Sequence, residues 1–107
     1  MTHAAGAASG LLKALAHPNR LMTLCLLTER ERSVGELATL LGTRDSTVSQ
    51  HLSLLRRDGL VRARREGQTI WYAIASDPAQ RVLETLAEIY CAAPSPPAAP
   101  APGRTRP

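Results

Sequence analysis

Residues 33–60 read SVGELATLLGTRDSTVSQHLSLLRRDGL, and this stretch decides the fold. Ser33 and Glu36 have the spacing of a capping box, which predicts the start of a short helix with a leucine-rich buried face. Gly42 predicts the end of that helix, because glycine readily adopts the left-handed conformation that closes many helices. A second helix is predicted from residue 43 or 44 to residue 57. Two short helices joined by a glycine-containing turn predict a helix-turn-helix unit.

The solvent face of the second helix carries short polar side chains. Val48, Leu52 and Leu55 recur at helical spacing and are predicted to turn inward. An ordinary solvated face would carry Glu and Lys, whereas short hydroxyls and amides allow a helix to approach base edges in the DNA major groove. The predicted DNA-binding residues of this helix are Arg44, Asp45, Ser46, Thr47, Ser49, Gln50, His51 and Arg56.

Two strand-like runs follow the helix-turn-helix unit. Residues 60–65 and 69–75 flank Glu66-Gly67-Gln68, which predicts a β-hairpin with a permissive glycine in its turn. Arginines near the tip of such a hairpin can lie along phosphates or enter a minor groove, whose negative potential attracts them. The predicted DNA-binding residues of the hairpin are Arg62, Arg64, Arg65 and Gln68.

Further helices are predicted on both sides of this region. An apolar stripe that includes Leu11 and Leu15 predicts a first helix, and residues 18–30 predict a second that is apolar on nearly all sides and therefore central. A last helix is predicted over residues 78–91, capped by Ser76 or Asp77. The fold class is therefore mainly α with a β-hairpin, in the order α-α-α-α-β-β-α, which is a winged helix-turn-helix.

The domain organisation follows from the composition at the two ends of the chain. Residues 1–10 are rich in Ala and Gly and predict a flexible N-terminus. Residues 11–92 hold the predicted winged helix-turn-helix DNA-binding domain. Residues 93–107 are rich in Pro and Ala and predict a disordered tail, because such a composition cannot build a packed core.

Charge and composition restrict the class of function. The formal net charge is +4, and twelve of the thirteen basic residues are Arg, which suits nucleic acid as the leading partner. Composition alone accounts equally well for a charge that only maintains solubility. No apolar run approaches the roughly 20 residues that span a bilayer, and no signal peptide is recognisable, so we expect a cytoplasmic protein without a membrane partner. Catalytic motifs are missing as well, which excludes the common enzyme classes.

Several motifs along the chain carry a family resemblance. They are Leu15-Ala16-His17-Pro18-Asn19-Arg20-Leu21, Ser33-Val34-Gly35-Glu36-Leu37, Ser49-Gln50-His51-Leu52, Leu55-Arg56-Arg57-Asp58-Gly59-Leu60-Val61 and Arg65-Glu66-Gly67 with Tyr72. With these motifs the chain resembles the ArsR/SmtB family of winged-helix repressors over about residues 10–91. The resemblance implies a homodimer built on the first and last helices, bound to a palindromic operator in double-stranded DNA and released by an inducer.

The resemblance also informs two positions of the second helix of the motif. His51 belongs to the family signature Ser-Gln-His-Leu, which favours packing or DNA contact over the alternatives of a metal ligand or a catalytic base. Similar members often carry Ser-Gln where this chain has Arg44-Asp45. Because a carboxylate repels phosphate but can accept from cytosine N4, we expect an operator that differs from those of close relatives.

The side chains available as metal ligands limit which inducer can release the repressor from DNA. The resemblance implies that a metal-sensing member would carry a Cys pair in the third helix or an Asp/His set along the last one. Here the third helix has no Cys and the last has no His, so the three or four convergent ligands that Zn²⁺ requires cannot be assembled, and no metal site or cofactor is predicted. Two cysteines, Cys25 and Cys91, remain. Two thiolates suit a soft ion such as Cu(I), which keeps a soft-metal-responsive repressor as an alternative.

Position alone favours Cys25 as a small core residue and Cys91 as an incidental thiol. The pair, however, resembles a dithiol subgroup of the family, and that resemblance implies that Cys25 and Cys91 are the sensing residues. In that subgroup, reactive sulfur species or oxidants link the two thiols, and the repressor then leaves DNA.

A winged-helix module that binds proteins is a further alternative. The arginine-rich hairpin opposes it, and a salt-dependent affinity for duplex DNA separates the two.

Overall fold

The protein is described by a computed structural model over residues 2–90. Within this range the elements are α1 (Thr2–Leu15), α2 (Pro18–Glu29), β1 (Arg32–Ser33), α3 (Val34–Leu41), α4 (Asp45–Arg57), β2 (Val61–Glu66), β3 (Thr69–Ile74) and α5 (Asp77–Tyr90). The predicted order α-α-α-α-β-β-α is confirmed, with the short strand β1 as an addition. None of the helices in this range is long and apolar enough to cross a membrane.

Helix α1 begins earlier than the sequence indicated. We expected a flexible N-terminus over residues 1–10, but residues 2–10 form the first turns of α1. Four of these nine residues are Ala, the strongest helix former, and they outweigh Gly6 and Gly10. Residues 3–10 are exposed, so no buried stripe marks this part of the helix in the sequence. The predicted tail, residues 93–107, lies outside the described range.

Helix α2 is central, as its apolar composition predicted. It contacts α1, α3, α4, α5 and β3. Leu24 and Leu27 are buried in the core, and the buried hydroxyl of Thr23 donates to the Asn19 carbonyl at 2.8 Å, which satisfies a polar group that would otherwise destabilise the interior. Pro18 occupies the first turn, where its missing N–H is not needed.

The helix-turn-helix unit is formed by α3 and α4. The capping box is present: Ser33 Oγ accepts from the Glu36 N–H at 3.2 Å, and the Glu36 carboxylate accepts from the Ser33 N–H at 3.3 Å. Gly42 ends α3 with φ 66°, the left-handed conformation expected of it. On α4, the side chains of Val48, Leu52 and Leu55 are fully buried, which fixes the helix on the core.

A three-stranded antiparallel sheet with the order β1-β3-β2 forms the wing. Glu66 pairs with Thr69, so the hairpin turn is Gly67-Gln68, and Gly67 has φ 63°. Ile70, Tyr72 and Ile74 alternate along β3; Tyr72 and Ile74 pack on the core, whereas Ile70 near the tip is 38% exposed.

Strand β1 was not predicted, because two residues carry no periodicity. It pairs Arg32 with Tyr72, and it runs directly into α3, so Ser33 is both the end of the strand and the cap of the helix. Arg32 is buried: its Nε donates to the Leu26 carbonyl at 3.0 Å, and its Nη2 lies 2.6 Å from Glu29 Oε1. These contacts satisfy a carbonyl in the last turn of α2 and stabilise that helix end.

Candidate functional site

The solvent face of α4 is the first part of the site. Of the predicted DNA-binding residues on this helix, those exposed to solvent are Arg44, Asp45, Ser46, Ser49, Gln50 and Arg56, and those half-buried are Thr47 and His51. The structure therefore brings all eight together along one helix. Asp45 is the first residue of α4, where the partial positive charge of the helix N-terminus favours a carboxylate.

The wing distributes its three arginines over two faces. The register of β2 with β3 places Arg62 and Arg64 on one face of the sheet and Arg65 on the other, opposite Ile70. Arg62 donates to the Ile74 carbonyl at 2.7 Å, and Arg65 donates to the carbonyl of Gly67 at 3.2 Å. Both guanidinium groups keep further donors, and Arg65 lies next to the hairpin turn that carries Gln68.

Arg64 differs because it is engaged by a carboxylate. Its Nε and Nη2 donate to the two carboxylate oxygens of Glu31 at 3.2 and 2.8 Å, in a bidentate pair, and Glu66 lies 3.6 Å from its Nη1. The hydrogen bonds from Arg64 lower the pKa of Glu31, and the positive charges of Arg64 and Arg62 act in the same direction. Arg64 thus braces the wing against the segment before β1, and Glu31 is a site residue that the sequence did not reveal.

A histidine pair lies beside α4. His17, the N-cap of α2, and His51 of α4 have ring centroids 5.6 Å apart in an edge-on arrangement with an interplanar angle of 62°. Burial lowers the pKa of His51, and the neighbouring His17 and Arg20 lower it further. The Nε of Arg20 is buried and has no hydrogen-bond partner within residues 2–90. His17 and Arg20 lie in the quoted motif Leu15 to Leu21, but only folding shows that they meet His51.

The predicted sensing residues are only partly within the described range. Cys25 lies on α2, half-buried and packed against the core. Helix α2 packs against α5. Cys91 follows Tyr90, the last residue of α5, in the sequence, and it lies outside the described residues. No group of three or more His, Cys, Asp or Glu side chains in the described range could hold a metal ion.

Apolar side chains are exposed on the two terminal helices. Leu12 of α1 is 59% exposed, and Ile89 and Tyr90 of α5 are 62% and 78% exposed. A groove of about 780 Å³ between α1 and α5 is lined in part by Ala7, Leu11, Ala14, Pro78 and Val82. Exposed apolar surface of this kind marks an interaction surface.

Comparison with known proteins identifies the architecture. Residues 17–63 match the family described as "Bacterial regulatory protein, arsR family". The chain is 48% identical over 83 residues to the transcriptional activator HlyU of Vibrio cholerae, covering 78% of this chain and 77% of the relative. It is 51% identical over 82 residues to the biofilm growth-associated repressor of Agrobacterium fabrum, covering 77% and 70%.

Solved structures agree with these sequence matches. The structure of HlyU from Vibrio cholerae N16961 superposes with a TM-score of 0.82 at 45% identity, covering 85% of this chain and 99% of that one. The homodimeric winged helix-turn-helix DNA-binding domain of Mb0332 from Mycobacterium bovis superposes with a TM-score of 0.71 at 35% identity, covering 82% of each chain.

Proposed function

The chain belongs to the ArsR family of bacterial regulatory proteins, and from this premise we propose that it is a homodimeric repressor whose affinity for its operator is switched by thiol chemistry at Cys25 and Cys91. It is a transcriptional regulator, as its relatives are, and not an enzyme. The relatives include an activator and a repressor, so repression, unlike transcriptional regulation itself, is a proposal.

The composition of the solvent face of α4 is the main support for DNA binding. The predicted DNA-binding side chains exposed on it are short hydroxyls, an amide, basic residues and one carboxylate, Asp45, on a helix whose opposite face is anchored by the buried Leu52 and Leu55. Such a helix can enter the major groove and contact base edges, while Arg65 and Gln68 at the tip of the wing reach the backbone or the adjacent minor groove. Arg44 and Asp45 at the start of α4 are proposed to contribute to operator choice.

A homodimer is supported by the apolar surface of α1 and α5. Leu12, Ile89 and Tyr90 are exposed to an extent that is costly in water, and burying them against a second copy would remove that cost. A two-fold dimer would present two α4 helices to a palindromic operator, with half-sites about 34 Å apart. The homodimeric neighbour from Mycobacterium bovis is consistent with this assembly.

The proposed switch is a two-step sulfur transfer. One cysteine thiolate attacks the terminal sulfur of an organic persulfide, forms a protein persulfide and releases the organic thiol. The second thiolate then attacks the inner sulfur and expels hydrosulfide, so that two thiols are oxidised to a disulfide while the organic persulfide is reduced to a thiol and hydrogen sulfide. If a second organic persulfide first converts the second thiol into a persulfide and releases a second organic thiol, attack of that persulfide on the inner sulfur of the first expels hydrosulfide and gives a trisulfide bridge in place of the disulfide.

The packing of α2 supports a route from such a link to DNA. Helix α2 carries Cys25 and contacts both α4, the proposed reading helix, and α5, which Cys91 follows in the sequence. A covalent link between these positions would restrain α2 against the end of α5, next to the proposed dimer surface. The spacing of the two α4 helices would then depart from one turn of DNA, and affinity would fall.

The test is binding to duplex DNA from the protein's own upstream region, measured by fluorescence anisotropy. Reduced wild type is compared with protein treated with glutathione persulfide, alongside Cys25→Ser, Cys91→Ser and the double variant. The proposal expects weaker binding after treatment in the wild type only, with a mass change that corresponds to a disulfide or polysulfide. An affinity for DNA that does not change with the persulfide but changes with Cu(I) would favour a soft-metal sensor. Absence of salt-dependent DNA binding would favour a protein-interaction module.

A further inference from the structure

A groove beside α4 is lined by hydrogen-bond donors from two helices. It measures about 640 Å³, which is ample for a phosphate group, and its lining residues are His17, Arg20, Gln50, His51, Ser53 and Leu54. None of these six is acidic, whereas Arg20 and the two histidines are basic. The groove therefore offers an anion several donors without an opposing carboxylate in its lining.

Arg20 lines this groove, and one nitrogen of its guanidinium group has no hydrogen-bond acceptor among the described residues. Its Nε is buried, yet within residues 2–90 it donates to no acceptor. A buried donor that lacks an acceptor destabilises the protein, so an acceptor that reached this guanidinium would be favoured. The planar fork of a guanidinium matches two phosphate oxygens in particular. A metal ion is disfavoured here, because the permanent charge of Arg20 would repel it.

The histidine pair adds donors from both helices. The imidazoles of His17 and His51 approach edge-on at 5.6 Å, and in their neutral form each retains one N–H. The charged or titratable groups whose fields act on His51 are His17 and Arg20, both from α2. An anion held among these three side chains would offset the permanent positive charge of Arg20 and accept from the imidazole N–H groups, so the site prefers negative charge.

The location of the groove selects the kind of anion. Gln50 and Ser53 line the groove and are also exposed on the solvent face of α4, so a duplex read by α4 would pass its backbone along the groove. Resting on the DNA-binding function proposed above, we propose that His17, Arg20 and His51 form a pocket for one backbone phosphate of duplex DNA. The pocket sets how α4 lies in the major groove and does not read sequence.

Salt dependence of DNA binding tests this pocket. Arg20→Gln and His17→Gln are compared with Arg30→Gln, an exposed arginine at the other end of α2 that serves as the matched control. Arg20→Gln removes the permanent positive charge of the pocket and lowers the magnitude of the slope of log K against log salt by about 0.9, so a dimer with two pockets loses about 1.8, whereas His17→Gln removes a hydrogen-bond donor and lowers affinity without this change of slope. Affinity falls about tenfold per contact, equally for operator and unrelated duplex. An unchanged slope in Arg20→Gln, or an unchanged affinity in His17→Gln, with folding confirmed by circular dichroism, would overturn the proposal.

A measurement on the wild type covers the case in which Arg20→Gln does not fold. The chain has three histidines, and His3 lies exposed on α1, so it provides an internal reference in ¹⁵N spectra of the imidazoles. Adding unrelated duplex should shift the resonances of His17 and His51 but not of His3. A shift with sodium phosphate at equal ionic strength and none with duplex would mean a small-anion site and refute the DNA contact. Salt-independent or absent duplex binding by the wild type would instead refute the proposed function itself.

Discussion

Replacing Gly42 by Ala isolates the backbone cost of the turn between α3 and α4. Gly42 has φ 66°, and a Cβ built there meets no heavy atom within 4 Å, so the substitution adds strain without a steric clash. A left-handed conformation costs an L-residue about 1–2 kcal/mol, and Gly→Ala recovers about 0.4–1 kcal/mol by restricting the unfolded chain. The expected net loss in the free energy of unfolding is therefore about 1 kcal/mol.

Gly35 provides the matched control for Gly42. It lies near the start of α3 without a left-handed φ, and the nearest atom to an added Cβ is Ser33 Oγ at 4.0 Å, an ordinary contact. Gly35→Ala is expected to stabilise by about 0.5–1 kcal/mol, because Ala favours the helix. Urea unfolding of reduced protein at one fixed concentration measures both variants, since the proposed dimerisation would make stability depend on concentration. Equal effects of the same sign at the two positions would refute the assignment of the cost to φ.

Three further predictions concern the wing, α4 and the pH response. Arg65→Gln should lower the slope of log K for DNA binding against log salt by about 0.9 per protomer. Arg64→Gln should mainly speed amide hydrogen exchange in β2, because Arg64 is held by a carboxylate. A reversal of the two effects, in fluorescence anisotropy and hydrogen-exchange data, would contradict this prediction. Leu52→Ala should lower the free energy of unfolding by about 2–5 kcal/mol, since the side chain is fully buried, and a loss below 1 kcal/mol in urea unfolding would be inconsistent with that packing. The pKa of His51 is below 6.5 in the folded protein, so as the pH falls the unfolded chain takes up a proton before the folded protein does. The contribution of His51 to the free energy of unfolding is therefore complete above pH 6.5, declines below pH 6.5 and levels off beneath the folded pKa. His51→Gln should flatten this part of the stability profile measured by urea unfolding between pH 5 and 8.

Local signals account for the part of the fold that the sequence predicted well. The capping box of Ser33 and Glu36 and the stop at Gly42 act over a few residues, so their outcome depends little on the remainder of the chain. Val48 and Leu52 were identifiable because one face of a helix must be buried. The exposed polar face of α4 followed as the complement of that buried face.

Tertiary contacts account for what the sequence did not reveal. Glu31 and Arg64 are 33 residues apart, and their pairing requires the wing to fold back on the segment before β1. His17 and His51 meet only because α2 packs against α4. Neither pair has a spacing that a local pattern could detect. The helical start of α1 was missed for a different reason, because an exposed alanine-rich helix has no buried stripe.

The double role of Ser33 has a mechanical consequence. Because the same residue ends β1 and caps α3, the sheet cannot hinge against the helix pair without breaking a strand pairing and a capping box together. The wing and the two helices are therefore mechanically coupled through Ser33, and displacing one against the other breaks both interactions. In the proposed dimer, two quantities remain adjustable with respect to DNA: the distance and the angle between the coupled wing and helix pair of one subunit and those of the other. Regulation of such a dimer would change how the two subunits are placed relative to each other and would leave the internal structure of each subunit as it is.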